Sequence, residues 1–162
     1  MKKRITCALL VLVMLAGALP SSALFTDIVS DSERWAAESL ASLGIVNGTG
    51  GSAFNPNGTL TRAEFCKMAV LAAGFSEVSL YSSYTIFPDV LASEWFAPYV
   101  NAAVRKYQII RGDSAGNFNP NTPITYGEAV TILLRMLGYT VEDIGYFWPR
   151  DDALKAEQIG LN

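Results

Sequence analysis

The sequence predicts an all-α protein assembled from helix-loop-helix repeats, two of them complete and a third incomplete. Three observations predict it. The chain repeats itself: "FTDI" at residues 25–28 returns as "FPDV" at 87–90, and Thr61 of one T-x-x-E motif returns as Thr125 of another. After each T-x-x-E, apolar residues recur at helical intervals. Before each, a turn dense in Gly, Asn and Pro ends in "FNPN".

The N-terminus comes first. "MKKR" is a basic lead, fifteen apolar residues follow, and "PSSA" offers small residues at Ser21 and Ala23. That order predicts a secretory signal peptide over residues 1–23, cut after Ala23, since the apolar run is short for a bilayer span. Removing Lys2, Lys3 and Arg4 leaves nine basic residues against 15 acidic ones, a net charge of −6. An acidic exported chain is ill suited to nucleic acid, where clustered Lys and Arg must neutralise phosphates. After cleavage no membrane segment is expected.

The first unit is read over residues 24–74. A Trp-led helix runs from Trp35 into "LGIVNG", and the turn follows. Thr61 and Glu64 then form a capping box: Thr accepts from the N3 amide and Glu reaches back to the N-cap amide. Phe65, Met68, Ala69 and Ala72 mark the expected apolar stripe, and Gly74 the left-handed C-cap. Cys66, the only cysteine left after cleavage, falls inside this apolar helix and reads as a small core residue.

Residues 75–86, rich in Ser and Tyr, form a connector expected to pair briefly as extended chain. The second unit is read over 87–138, with Trp95 leading its first helix into "IIRG". Trp35 precedes its turn glycine by 13 residues and Trp95 by 17, so the first helix is expected to be a turn shorter in unit one. Thr125 and Glu128 repeat the capping box; Ala129, Ile132, Leu133 and Met136 repeat the stripe. Asp113 with Asn117 and Asn119 is a weak calcium-loop pattern, short of the carboxylates a calcium loop needs. Residues 139–162 look like the start of a third unit cut short, as in a fragment or an incomplete product.

The two motif copies share Thr and Glu and differ most at the position after Thr. Arg62 stands at the first helical residue of "TRAE", where Tyr126 stands in "TYGE". Capping does not ask for Arg there, and the helix dipole disfavours a cation at that end. A guanidinium beside free helix N–H donors suits a carboxylate or phosphate, and a solvated Arg on an exposed turn is the plainer alternative.

"FTDI…W…LGIVNG…FNPNGTLTRAEF" and "FPDV…W…IIRG…GNFNPNTPITYGEA" together resemble the S-layer homology (SLH) family over nearly all of residues 24–162. The resemblance implies a pseudo-threefold bundle to which each repeat gives one helix, with a helix-loop prong outside. It implies non-covalent attachment to bacterial cell walls through secondary cell-wall polysaccharide, often pyruvylated, held in grooves between repeats. On that basis Arg62 would face a ketal carboxylate. Trp35 and Trp95 would stack on sugars or pack in the core, and Asn47 and Arg111 would line a groove.

No histidine is present, which removes Ser-His-Asp and Cys-His catalysis and most zinc sites. No catalytic residue, cofactor or metal is therefore expected. Two other readings stay open: a self-associating surface-layer piece, and the anchor of a larger exported hydrolase.

Overall fold

The computed structural model describes residues 24–161. The expected signal peptide lies outside the described residues. Among the described residues, four helices come in two pairs: α1 (Asp31–Ser42) and α2 (Arg62–Ala72) in the first unit, α3 (Ala97–Arg105) and α4 (Tyr126–Met136) in the second. A single turn, α5 (Val141–Ile144), and α6 (Arg150–Gln158) follow. Among the described residues no helix is long and apolar enough to cross a membrane.

Unit packs on unit in a repeating way. The second helix of one unit lies against the first helix of the next: α2 on α3, and α4 on α6. The main core forms at the first of these contacts, where Ala63, Cys66 and Val70 of α2 meet Ala97, Val100 and Ala103 of α3. A second core joins Val130 and Leu134 of α4 to Ala156 of α6. α1 has its own small cluster of Phe25, Ile28 and Ala37 beneath Phe54.

These contacts revise the apolar stripes. On α2 the buried residues are Arg62, Ala63, Cys66, Ala69 and Val70, while Ala72 is exposed and Phe65 and Met68 are half-buried. On α4 the buried residues are Val130, Thr131, Ile132 and Leu134. Both helices are apolar on several faces, so period alone leaves the inward face open and the neighbouring helices choose it. Burial pushes the Cys66 thiol up, in line with a core side chain rather than a nucleophile.

The lengths of the first helices reverse the expectation. α1 has 12 residues and α3 only nine. Ser30 accepts from the Glu33 amide and starts α1 before Trp35. Pro98 lies in the first turn of α3 and lacks the N–H that a helix interior requires, so α3 begins at Ala97 and Trp95 precedes it. The connector also differs: it holds a 3-10 turn at Val78–Tyr81 and no strand pairing. Asn101, fully buried on α3, donates to the carbonyls of Tyr81 and Tyr84 and so fixes it to the core.

α2 and α4 both end in a Schellman turn. Gly74 donates to the Leu71 carbonyl and Phe75 to that of Val70; Gly138 and Tyr139 repeat the pattern on Arg135 and Leu134. Both glycines have positive φ, +81° and +87°.

Candidate functional site

Each unit carries the same loop scaffold. The Asp27 carboxylate accepts from the Phe54 and Asn55 amides at 2.8 and 2.6 Å, and Asp89 accepts from Phe118 and Asn119 at 2.9 and 2.6 Å. The acid of F-x-D therefore clamps the F-N-P-N turn some thirty residues later. The Phe54 and Asn55 amides hold the Asp27 carboxyl below its ordinary value. Asn55 and Asn119 take left-handed φ of +61° and +60° at the clamp, a conformation Asn tolerates. The aspartates were visible in the repeat, but nothing local to "TDI" or "PDV" names their partners.

Both T-x-x-E stretches form complete capping boxes. Thr61 accepts from the Glu64 amide while Glu64 accepts from that of Thr61, and Thr125 and Glu128 do the same. The amides of the first turn of α2 are not free. Arg62 donates its N–H to the Thr122 carbonyl, Ala63 to that of Pro120, and Glu64 to Thr61 Oγ1. The helix N-terminus expected to offer donors to an anion is thus spent on the turn of the next unit.

The Arg62 side chain is not solvated either. It is 11% exposed and points into the second unit. Nη1 donates to Glu128 Oε1 at 2.8 Å and Nη2 to the Arg111 carbonyl at 2.9 Å. The guanidinium carbon sits 5.2 Å from the centre of the Phe118 ring. Glu128 therefore serves twice, with Oε2 closing the cap of α4 and Oε1 holding Arg62.

Around this tie lies a cleft of about 390 Å³ lined by Arg62, Arg111, Glu128, Thr131, Arg135 and Trp148, within the size range of small-ligand sites. Arg135 donates to the Ile109 carbonyl at 3.2 Å; burial, then the charges of Arg111 and Arg62, lower its pKa. Asp113, at the rim, is held below its ordinary value, first by the Asn117 amide and then by the Asn119 side chain. Its carboxylate is turned toward donors of its own loop, which include the Ala115 amide.

Of the residues expected to bind glycan or cap helices, the cleft brings together Arg62, Arg111 and Glu128, with Asp113 and Asn119 of the weak calcium-loop pattern beside them. Trp35 is 74% exposed on α1, Asn47 is exposed in the first unit's turn, and Trp95 lies with its edge on Phe96 and Lys67 over its ring. None of these three lines the cleft. Three residues that sequence reasoning passed over do line it. Arg135 and Thr131 sit on α4 at helical spacing from Glu128, a signal present but unread. Trp148 comes from the third segment, and its Nε1 donates to Thr131 Oγ1 at 2.9 Å. The same Thr hydroxyl meets Asp152 Oδ1 at 2.7 Å, so buried Asp152 of α6 sits behind the cleft wall.

The second motif copy departs from the first for a visible reason. Gly127 replaces Ala63, and a Cβ at Gly127 would stand 2.8 Å from Pro149 Cβ. The Trp148–Pro149 segment packs where that methyl would be.

Comparison with known proteins agrees with this architecture. Residues 24–66 and 86–130 match the S-layer homology domain family. The chain is 35% identical over 123 residues to a surface layer protein of Brevibacillus choshinensis, covering 75% of this chain and 11% of that protein. It is 34% identical over 123 residues to a middle cell wall protein of Brevibacillus brevis, covering 75% and 12%. It is also 34% identical over 141 residues to exoglucanase XynX of Acetivibrio thermocellus, covering 85% and 12%. The chain spans about a tenth of the length of these curated relatives. A repeat pattern, a loop scaffold built twice and a two-part family match converge, and the chain belongs to the S-layer homology domain family.

Proposed function

We propose that this chain anchors an exported protein non-covalently to the bacterial cell wall by binding secondary cell-wall polysaccharide, pyruvylated polymer in particular. The observation that carries the reading is the cleft between units, where three arginines gather on a chain that is acidic as a whole. Guanidinium groups suit carboxylate substituents through paired, charge-assisted hydrogen bonds. The module has no chemistry of its own in this reading. Its location is the cell wall or surface, as the family membership supports.

The handing of each second helix to the next first helix suits a pseudo-threefold arrangement. In it, the second helix of a further unit would return to α1, which packs on no other helix among the described residues. The much greater length of the relatives supports a cargo joined to the module, a hydrolase among the options. A second reading, self-association, is favoured by Trp35 and Leu43 of the α1 region, 74% and 72% exposed.

Sedimentation with purified sacculi tests the leading reading. The protein is expected to pellet with intact sacculi and to stay soluble with sacculi stripped of secondary polysaccharide. Equal pelleting with both would sink it. Growth in size with concentration, with no wall binding, would favour self-association instead.

A further inference from the structure

Asparagine followed by glycine occurs twice in the chain, at Asn47–Gly48 and Asn57–Gly58, both in the first unit. Both asparagines are exposed. An asparagine side chain is open to attack by the backbone nitrogen of the next residue, and a glycine there puts no Cβ in the way. What differs between the two is the state of that nitrogen. Gly58 donates its N–H to the Asn55 carbonyl at 2.9 Å. The Gly48 N–H has no hydrogen-bond partner among the described residues.

The other described asparagines are shut off. Asn55 and Asn119 precede Pro56 and Pro120, whose nitrogens carry no proton. The amide after Asn117 is bound to the Asp89 carboxylate, and the amide after Asn121 to the Asn119 carbonyl. Asn101 is fully buried in α3 and holds its side-chain amide on the Tyr81 and Tyr84 carbonyls.

We propose that Asn47–Gly48 is a site of spontaneous deamidation, through which the protein ages chemically in its first unit. The Gly48 nitrogen gives its proton to solvent base and attacks Asn47 Cγ. The new N–Cγ bond closes a five-membered imide as the Cγ–Nδ2 bond breaks and ammonia leaves. Water then opens the imide. Addition at Cγ breaks the new bond and leaves aspartate. Addition at the Asn47 backbone carbonyl breaks the original peptide bond and leaves isoaspartate, with the chain rerouted through the side chain. Reactivity of this kind is what makes asparagine thermolabile. Either product carries a new negative charge, and isoaspartate also lengthens the backbone by a methylene.

The turn has little slack for that methylene. A Cβ on Gly48 would stand 2.6 Å from the Ala53 carbonyl oxygen and 2.8 Å from Phe25 Cε1. Thr49, next along, donates its N–H to the same Ala53 carbonyl at 2.9 Å. Phe25 is buried, with its ring centre 5.0 Å from that of Phe54. Moving Gly48 therefore presses on the small cluster beneath α1, a helix that packs on no other among the described residues. Isoaspartate at position 47 loosens the first unit, whereas aspartate keeps the backbone and changes charge alone.

Incubation of the purified protein at alkaline pH, followed by peptide mapping with mass spectrometry and enzymatic labelling of isoaspartate, tests this. In the folded protein Asn47 should convert to both products about tenfold faster than Asn57, the protection one amide hydrogen bond gives. In urea the two should convert at the same rate, since neither amide is then held. Asn47→Gln should remove the fast site. The isoaspartate form, separated by chromatography, should melt below Asn47→Asp, and Asn47→Asp should melt close to wild type. Asn47 intact in the folded protein while it converts in urea would overturn the site, and so would Asn57 converting as fast as Asn47 in the folded protein. An isoaspartate form as stable as Asn47→Asp would overturn the loosening of the first unit.

Discussion

Arg62 and Glu128, 66 residues apart in the chain, join their two units through one charge-assisted hydrogen bond of 2.8 Å. Glu128 is 30% exposed and Arg62 11%, so the pair is shielded from water on the Arg side. Removing one partner strands the other, and Arg62→Ala and Glu128→Gln are each expected to cost about 2–3 kcal/mol. In a double-mutant cycle by urea unfolding the two losses should fall well short of additive. Additive losses would mean that the pair carries no coupling.

The aspartate clamps predict an acid limb. The Asp27 pKa is lowered in the folded protein, so its contribution is present above the ordinary value of 3.8 and is lost as pH falls through the folded value. Asp113 and Asp151 are lowered as well and act in the same direction. Thermal stability should therefore hold down to about pH 4 and decline below it. Asp27→Asn should lower Tm at pH 7 and flatten the decline; an unchanged slope would remove Asp27 from the limb.

Gly44 and Gln108 occupy the same place after the first helix of each unit, at φ +71° and +55°. Glycine bears that conformation freely, whereas glutamine is strained by roughly 1 kcal/mol or more. Gln108→Gly should raise stability by a few tenths of a kcal/mol to about 1, once the entropy of glycine in the unfolded chain is deducted. Gly44→Ala should lower stability by about 1 kcal/mol, from backbone strain alone, since a Cβ there meets nothing within 4 Å. A Tm for Gln108→Gly below that of wild type would contradict the strain account.

Gly127 makes the opposite test. In a helix, Ala normally stabilises over Gly by about 1 kcal/mol. Here the added methyl would press on Pro149 Cβ at 2.8 Å. Gly127→Ala should gain nothing and should displace Trp148, seen as a red shift of its fluorescence and faster proteolysis between residues 145 and 150. A clear rise in Tm with unchanged fluorescence would show that the segment yields without cost.

Much was legible because it is local and occurs twice. The capping boxes follow from Thr and Glu at fixed spacing, and both appear where the motif stands. The C-terminal glycines of α2 and α4 follow from the last apolar turn. The helix lengths are not legible from the Trp spacing, because Ser30 and Pro98 set the starts. The cleft was legible only in part. Arg62, Arg111 and Glu128 stand at motif positions, while Trp148 stands in the incomplete third unit at a place that neither complete repeat marks.

By itself the sequence determined the repeat, the helical class, the caps and the family, since each depends on residues within a turn or a loop of one another. The tertiary structure decided what Arg62 does. A long cation at a helix start reads as free for a ligand until the facing unit supplies a carboxylate, a carbonyl and an aromatic ring within reach. Those partners lie 49 to 66 residues away, and only packing brings them there. Burial then makes the guanidinium a tie between units and leaves Arg111 exposed, with no hydrogen-bonding or ion-pairing partner for its guanidinium among the described residues.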